Sequence, residues 1–498
     1  MIRSLLIKPF AAYTAKNIEK KSTTQVADQE KVFRLLIDRS RSTHFGKDHD
    51  FAHINNYKDY TNRVPLRDYE GLRSYVEQIK AGTQDVLWKG KPKYFAKTSG
   101  TTSGVKYIPI SKESMPYHIS CARNALMNFV SRSQQEKIFD GKMIFISGSP
   151  EMDQVGGIAT GRLSGIVNHE IPSWVKPNQV PDYATNCIEP WEKKLEKIVQ
   201  ITAKQDMRLI SGIPPWVQMY FEQLLDYTGK SCIKDIFPNF KLFVYGGVNY
   251  EPYRNKLDEL IGEKIHTLET YPASEGFIAF QDQVENHGLM LQADAGIFYE
   301  FVPLEEISKE VPTRLSLQDV ELGKDYAVII TSNAGLWAYN LGDTVRFVSL
   351  APYRLVVSGR VKHFISAFGE HVIAKEVETA MIETSIQFGA KIIEFTVAPQ
   401  VSPTDSPLPY HEWFVEFDQA PDTMTRFSQA LDERMCEQNI YYKDLIDGNI
   451  LVPIKIRMMQ KNTFRLYMES EGKLGGQNKV PRLSNDRKIA DKLQQYLL

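Results

Sequence analysis

The sequence predicts an α/β protein with a large N-terminal domain, in which α/β layers are followed by a β-rich part, and a small α+β C-terminal domain. Three observations predict it. The chain has 498 residues, more than one small core needs, so two or three domains are expected. Near residue 240 the texture changes from long helical periodicities to crowded short strands. After Gly359 the pattern restarts as strands alternating with helices, which places the domains at 1–358 and 359–498.

The first ninety residues read as mostly helical. "DQEKVFRLLIDRSRST" and "YEGLRSYVEQIKAG" repeat apolar residues at helical spacing. The opening "MIRSLLIKPFAAYTAKNIEKK" has only a short apolar patch, broken by Lys8 and Pro9, and reads as amphipathic rather than as a leader. "KYFAKT" and "VKYIPIS" are strand-like and flank a small, hydroxyl-rich run. "KESMPYHISCARNALMNFVSRSQQ" is a long helix and "KMIFISGSP" a buried strand ending in turn residues. "WEKKLEKIVQITAKQ" and "PPWVQMYFEQLLDYTG" are helices, the second with prolines at its start, where they are tolerated.

From about residue 240, "KLFVYGG", "KIHTLETY", "GFIAFQDQ", "GIFYEFVPL", "YAVIITS", "TVRFVSL" and "YRLVVSG" read as strands separated by turns. Beyond "SGRVKHFISAFGEHV", the strands "KIIEFTVAP", "YHEWFVEF" and "ILVPIKIRMM" alternate with helices at "DTMTRFSQALDERMCEQN" and "SNDRKIADKLQQYLL".

Charge and cysteine usage remove whole function classes. Lys+Arg is 60 and Asp+Glu 61, a net charge of −1, so nothing marks a nucleic-acid binder. No run approaches eighteen apolar residues, so no membrane span is expected. Cys121, Cys187, Cys232 and Cys436 are far apart and form no C-x-x-C pair. That indicates neither a zinc site nor a disulfide framework and suits a reducing cytoplasm. Two motifs misfire. "YTGKSC" ends like a phosphate-binding P-loop, but Leu224 stands where its first glycine belongs and a helix precedes it. "YPASEG" has Pro272 where a hydrolase elbow needs glycine.

Four segments carry chemistry together, the second of them in two parts, "YGGVNYEP" and, after it, "LETYPASEG". In "KTSGTTSGVK", Thr98, Ser99, Gly100, Thr101, Thr102 and Ser103 offer hydroxyl and backbone N–H donors between two strands, with Lys106 adding charge; a phosphate would use all of these, and a solvated hairpin is the bland alternative. In "YGGVNYEP", Gly246 and Gly247 would let a backbone turn lie against a nucleobase, or be a plain strand end. In "LETYPASEG", Tyr271, Ser274 and Glu275 occupy a short loop between strands. One carboxylate beside a hydroxyl suits Mg²⁺, which takes few protein ligands and shares phosphate oxygens. In "WAYNLGDTVRF", Gly342-Asp343 forms a turn between strands, and the acid can accept both hydroxyls of a ribose. In "VSGRVKHFISAFGEHV", Arg360 would clamp ribose or phosphates, and Lys362 would sit at a pivot.

The order and spacing of these segments over about four hundred residues resemble the auxin-responsive Gretchen Hagen three family of acyl acid–amido synthetases in its bacterial form, a branch of the adenylate-forming enzymes that include acyl-CoA synthetases and luciferase. "FAKTSGTTSGVKYIPIS" resembles the family's Ser/Thr/Gly phosphate loop, "YPASEG" its Tyr-x-x-Ser-Glu segment, "YNLGD" its Tyr-Arg-x-Gly-Asp segment, and "GRVKHFISAFGE" the start of its small C-terminal domain. "GGQNKVPRLS" resembles the loop carrying the mobile-domain lysine, here Lys479. The resemblance implies an adenylate-forming N-terminal domain, ATP and Mg²⁺ as cofactors, Glu275 as metal ligand, Lys479 as a charge delivered by a mobile C-terminal domain, and Tyr339, Asp343 and Arg360 around the nucleotide. It implies a carboxylic acid and an amine, typically an amino acid, as substrates, with no nucleic-acid or membrane partner. One departure stands out: Asn340 occupies the position of the family's arginine and carries no charge. "GIPPWVQMY" and "TGRLSGI" read equally as pocket lining or core, Trp216 and Met219 included. Two other readings compete: an acyl-adenylate enzyme with a thiol acceptor, and a catalytically weakened nucleotide-binding protein, hinted at by Asn340 alone.

Overall fold

The computed structural model covers residues 2–498 apart from 99–105, 172–174, 189–190, 248–249, 286, 362–363, 366, 369–371, 402, 448–450, 474–478 and 485–486, which are not described. The chain divides into two compact units, Met1–Val248 with Leu260–Val357, and Asn249–Glu259 with Ser358–Leu498.

The first unit opens with helices at Ile2–Ser22, Gln25–Ser40, Tyr57–Arg63 and Tyr69–Lys80. The last is started by Asp68, whose carboxylate accepts from the N–H groups of Glu70 and Gly71, satisfying donors that have no partner within a first turn. Its buried residues Tyr69, Leu72, Val76 and Ile79 follow the helical period.

A four-stranded sheet follows, in order β2-β1-β5-β4, from β1 (Tyr94–Thr98), β2 (Lys106–Ile110), β4 (Asp153–Val155) and β5 (Ile158–Gly161). β1 pairs antiparallel with β2 and parallel with β5. The main sheet has eleven strands in the order β12-β13-β14-β15-β11-β10-β9-β8-β7-β3-β6. Its parallel half holds β3 (Lys142–Phe145), β6 (Gln179–Val180), β7 (Met207–Ser211), β8 (Leu242–Gly246) and β9 (His266–Ala273). The antiparallel half holds β10 (Gly276–Gln281), β11 (Leu289–Leu291), β12 (Ile297–Pro303), β13 (Asp325–Ser332), β14 (Tyr339–Leu350) and β15 (Tyr353–Arg360). The change of texture near residue 240 is therefore no break in the structure: both halves share one sheet.

Helix Met115–Ser133 packs Ala125, Phe129 and Val130 into a cluster with Leu209, Leu242, Leu268 and Phe280 from the sheet, joined by Ala11 and Ile18 of the first helix. Each fully buried side chain of this size contributes about 1.5–3 kcal/mol. Trp337 is fully buried, stacks on Phe45 at 5.7 Å and donates its indole N–H to Leu87 O at 2.9 Å. Arg314 and Glu300 form a buried two-pronged pair that Tyr57 joins by donating to the same carboxylate. Such a pair fixes geometry more than it adds stability.

Helix Pro214–Thr228 ends at Gly229, whose φ of +65° gives the left-handed cap that suits glycine. "TGKS" is thus a helix end, in agreement with rejecting it as a phosphate loop.

In the second unit, β18 (Lys391–Gln400), β19 (Tyr410–Gln419) and β20 (Lys455–Met458) form a sheet in that order, preceded by the short pair β16 (Phe364–Ile365) and β17 (Val372–Ile373). Helices Ala374–Phe388 and Met424–Gln438 cover it through Val377, Met381, Phe427 and Leu431, packed with Val397, Trp413 and Val415. The strand expected over "ILVPIKIRMM" is confined to its second half. Among the described residues no helix is long and apolar enough to cross a membrane.

Candidate active site

Because β3, β7, β8 and β9 run parallel, their carboxyl ends lie on one edge of the sheet, where open α/β sheets bind ligands. Register fixes the row: Phe145 stands beside Ser211, Ser211 beside Val244 and Gly246 beside Thr270. Gly246 has a reason to be glycine that is independent of any ligand. A Cβ there would lie 2.3 Å from Thr270 O, so the close approach of β8 and β9 requires its absence. Gly247 is exposed with φ +73°, which turns the chain sharply off the strand.

Tyr271 lies within β9 rather than in the following loop, because pairing continues to Ala273 opposite Gly276. Ser274 and Glu275 alone form the turn between β9 and β10, and both are half-buried. Tyr271 is buried, and its hydroxyl donates to Asp343 Oδ2 at 2.6 Å. Two of the chemistry-bearing segments therefore meet directly.

Asp343 does not occupy a turn between strands, as its sequence suggested; it lies inside β14. Between the pairs Ala327↔Thr344 and Ile329↔Asn340 the register shifts, so Leu341, Gly342 and Asp343 form a bulge. Bulges re-aim side chains, and this one carries Gly342 at φ +82°. Asn340 holds it in place, accepting the Gly342 N–H on Oδ1 at 2.9 Å. An arginine has no acceptor and cannot make this bond. The one departure from the family pattern thus has a local structural role. The Asn-x-Gly spacing, which favours side-chain-capped turns, was the signal for it in the sequence.

The same strand is tied at its start. Asn340 N donates to Arg67 O at 2.8 Å, and Arg67 N to Ala338 O at 3.1 Å. Ala338 adopts φ +46°, an uncommon conformation for alanine, and its N–H is held by Thr331 Oγ1 at 3.0 Å. Backbone strain of this kind persists where surrounding structure enforces it. Tyr339 is fully buried.

Thr98 ends β1 and is half-buried, while Ser99, Gly100, Thr101, Thr102 and Ser103 lie outside the described residues. Lys362 does too, as does the side chain of Arg360, whose backbone closes β15. Trp216 is buried and Met219 half-buried on helix Pro214–Thr228. Among the described residues no group of three or more His, Cys, Asp or Glu is placed to hold a metal ion. Mg²⁺ needs only one or two carboxylates when phosphate oxygens complete its shell, so Glu275, accessible at a hairpin turn, fits that demand.

In the second unit Lys479 is exposed. The segment after it runs beside β18: Thr396 Oγ1 donates to Pro481 O at 2.6 Å, Val397 N to Arg482 O at 2.9 Å and Ser484 N to Val397 O at 2.9 Å. Arg482 pairs with Glu394 and Glu378 and donates to Phe395 O and to the Tyr253 hydroxyl. Sequence reasoning did not single out this anchor, because nothing local marks Arg482 as buried.

Three models of one family match the chain: the GH3 family N-terminal domain over residues 14–187, its central domain over 290–360 and its C-terminal domain over 375–488. The chain belongs to the GH3 family. A GH3 relative, a jasmonoyl–L-amino acid synthetase of Oryza sativa subsp. japonica, is 23% identical over 544 residues, covering 92% of each chain. Among solved structures, the GH3.15 acyl acid amido synthetase superposes with a TM-score of 0.81 at 15% identity, over 97% of this chain and 96% of that one. A 2-hydroxyisobutyryl-CoA ligase with a bound acyl-AMP superposes with a TM-score of 0.61 at 13% identity, over 96% and 92%. The GH3 chain thus has the fold of the adenylate-forming enzymes, with its large α/β part N-terminal.

Proposed function

We propose that this GH3 protein is an ATP-dependent acyl acid–amido synthetase that adenylates a carboxylic acid and transfers the acyl group to an amine, an amino acid in the first instance. The observation that carries the reading is the Tyr271–Asp343 hydrogen bond at the carboxyl edge of the sheet, in a chain whose relatives are amido synthetases.

A free carboxylate has no usable leaving group. In the first step its oxygen attacks the α-phosphorus of ATP, the bond to pyrophosphate breaks, and acyl-AMP results. In the second, the amine nitrogen attacks the acyl carbon, AMP leaves, and the nitrogen loses a proton. Both reactants of the first step are anions, so the site must neutralise charge before proximity can help. In this reading Asp343, oriented by Tyr271, accepts the ribose hydroxyls, and Gly247 gives the base a flat approach. The loop after Thr98 supplies donors to the phosphates. Glu275 would hold Mg²⁺, which offsets phosphate charge when bound. Arg360 and Lys479 belong to the second unit, and the reading has that unit act as a mobile domain, with Lys479 as a charge brought to the α-phosphate. We place the protein in the cytoplasm.

The role of Asn340 inside the bulge favours an intact site over a weakened one, since it explains the missing arginine structurally. The test is a pyrophosphate-release screen over a panel of carboxylic acids, followed by product analysis with amino acids or coenzyme A. Acid-dependent release with amide formation is expected. Thioester formation alone would assign a thiol acceptor, and no release with any acid would end the synthetase reading.

A further inference from the structure

We propose that Arg162 binds an oxyanion of a reactant, a carboxylate or a phosphate group, beside the base of the loop that follows Thr98. The inference rests on the synthetase reading for which reactants are present, but its geometry stands independently.

β1 and β5 are parallel, with Ala96 beside Gly161. The next step in register sets residue 162 beside Lys97, so Arg162 leaves β5 where β1 enters the hydroxyl-rich loop. On its other side Arg162 lies against the turn after β3, where a Cβ on Gly148 would sit 3.2 Å from Arg162 Cδ. Arg162 therefore stands between the phosphate-loop base and the carboxyl edge of the main sheet. On that edge β3 is three strands from β9, about 14 Å at the usual strand spacing. A group held there is not the ribose served by Asp343.

Charge makes the position informative. Neighbouring cations are neutralised: Lys97 pairs with Asp153, and Lys93 pairs with Glu170. Among the described residues the Arg162 side chain has no ion pair and no hydrogen bond; only its backbone carbonyl is engaged, accepting from Ile166 N–H at 2.9 Å. A second cation that feels Arg162 makes the imbalance larger, since the Lys194 ammonium donates to Ser147 O at 2.8 Å and Asn186 O at 2.9 Å, neutral carbonyls both. Arg162 is accessible to solvent, yet the surrounding protein is dense enough to pull its pKa down by burial. Arg162 is thus a solvent-reachable cation, partly desolvated by the protein beside it and packed against Gly148. A planar guanidinium there offers two parallel donors to a carboxylate or phosphate, and a bound oxyanion would supply the missing counter-charge.

The experiment compares the full-length wild type with Arg162→Ala and Arg162→Lys. Calorimetric titrations use magnesium pyrophosphate, free amino acids and the corresponding amino acid amides, and acid-dependent pyrophosphate–ATP exchange is measured on the same samples. Thermal melts establish that each variant is folded, and Arg162→Lys serves if the alanine variant is not. The expected result is at least tenfold weaker binding of one oxyanion in Arg162→Ala, with partial recovery in Arg162→Lys. Loss confined to pyrophosphate and exchange identifies the phosphate as the source. Loss for amino acids but not their amides identifies the acceptor carboxylate. Unchanged binding of both, or a wild type that binds neither, overturns the proposal. A wild type without acid-dependent exchange refutes the synthetase reading instead, while the pyrophosphate titration still decides Arg162.

Discussion

The Tyr271 hydroxyl donates to Asp343 Oδ2 at 2.6 Å and joins the end of β9 to a bulge 72 residues further along the chain. A hydrogen bond to a charged group contributes roughly 1.5–3 kcal/mol. Tyr271→Phe should therefore remove one orienting donor from the carboxylate and weaken AMP binding by at most roughly tenfold to a hundredfold, the equivalent of that free energy. Asp343→Ala should cost at least about tenfold, as for the loss of a charge-assisted bond to ligand. Titration of AMP onto both variants decides it, and equal affinities across the set would remove Asp343 from the nucleotide site.

Glu275→Gln keeps shape and removes charge. Acid-dependent adenylation should fall by about 10² or more, roughly 3 kcal/mol of transition-state stabilisation. Near-normal turnover at saturating magnesium would show Glu275 to be an ordinary turn residue.

Asn340 should tolerate aspartate and reject arginine. Asn340→Asp keeps an acceptor for the Gly342 N–H, whereas Asn340→Ala and Asn340→Arg leave it unbonded, at a cost of about 1–3 kcal/mol if no water replaces the partner. Urea unfolding curves rank the three. A stable, active Asn340→Arg variant would show that the bulge needs no support from this side chain.

Lys194 gives a pH dependence with a definite sign. Burial lowers its pKa from 10.5 to about 8. The folded protein then holds fewer protons than the unfolded chain between about pH 8 and 10.5, so this residue's contribution makes stability rise with pH across that window. Lys194→Met should remove that rise. Unfolding free energies at pH 8 and pH 10 for both proteins provide the comparison, and identical slopes would contradict it.

Lys479→Ala should lose acid-dependent pyrophosphate release by about 10² or more, the usual effect of deleting one electrostatic stabiliser. It should retain most of its ability to convert supplied acyl-adenylate and amine into amide. Both half-reactions measured on one preparation give the answer: survival of the first makes Lys479 a surface residue, and joint failure makes it structural.

Strands and long helices were legible because period 2 and period 3.6 are local properties, which is why "KLFVYGG" and "PPWVQMYFEQLLDYTG" fall where expected. The helix Glu251–Ile261 and β7 escaped notice, one polar and one only five residues long. In the candidate site, Tyr271, Glu275 and Asp343 stood out by residue type, but the bond between Tyr271 and Asp343 did not. A bulge and a turn look alike in sequence, since Gly-Asp suits both; only the pairing of β14 with β13 on either side of Gly342 distinguishes them. Arg482 illustrates the same limit. Burial of an arginine depends on two glutamates 88 and 104 residues away, and no window of the sequence contains them together.

That anchor limits how Lys479 can travel. It lies three positions before Arg482, which is pinned by two carboxylates and by the backbone of β18. Three extended residues span about 10 Å, and on that side the lysine has a short leash. It behaves as a tooth fixed to a wheel and not as an arm that swings on its own. In the proposed reading, any larger stroke would come from the second unit moving as a body. Such motion runs on microseconds to milliseconds rather than the nanoseconds of a loose loop, so the tempo of charge delivery would be set by the body that carries the tooth.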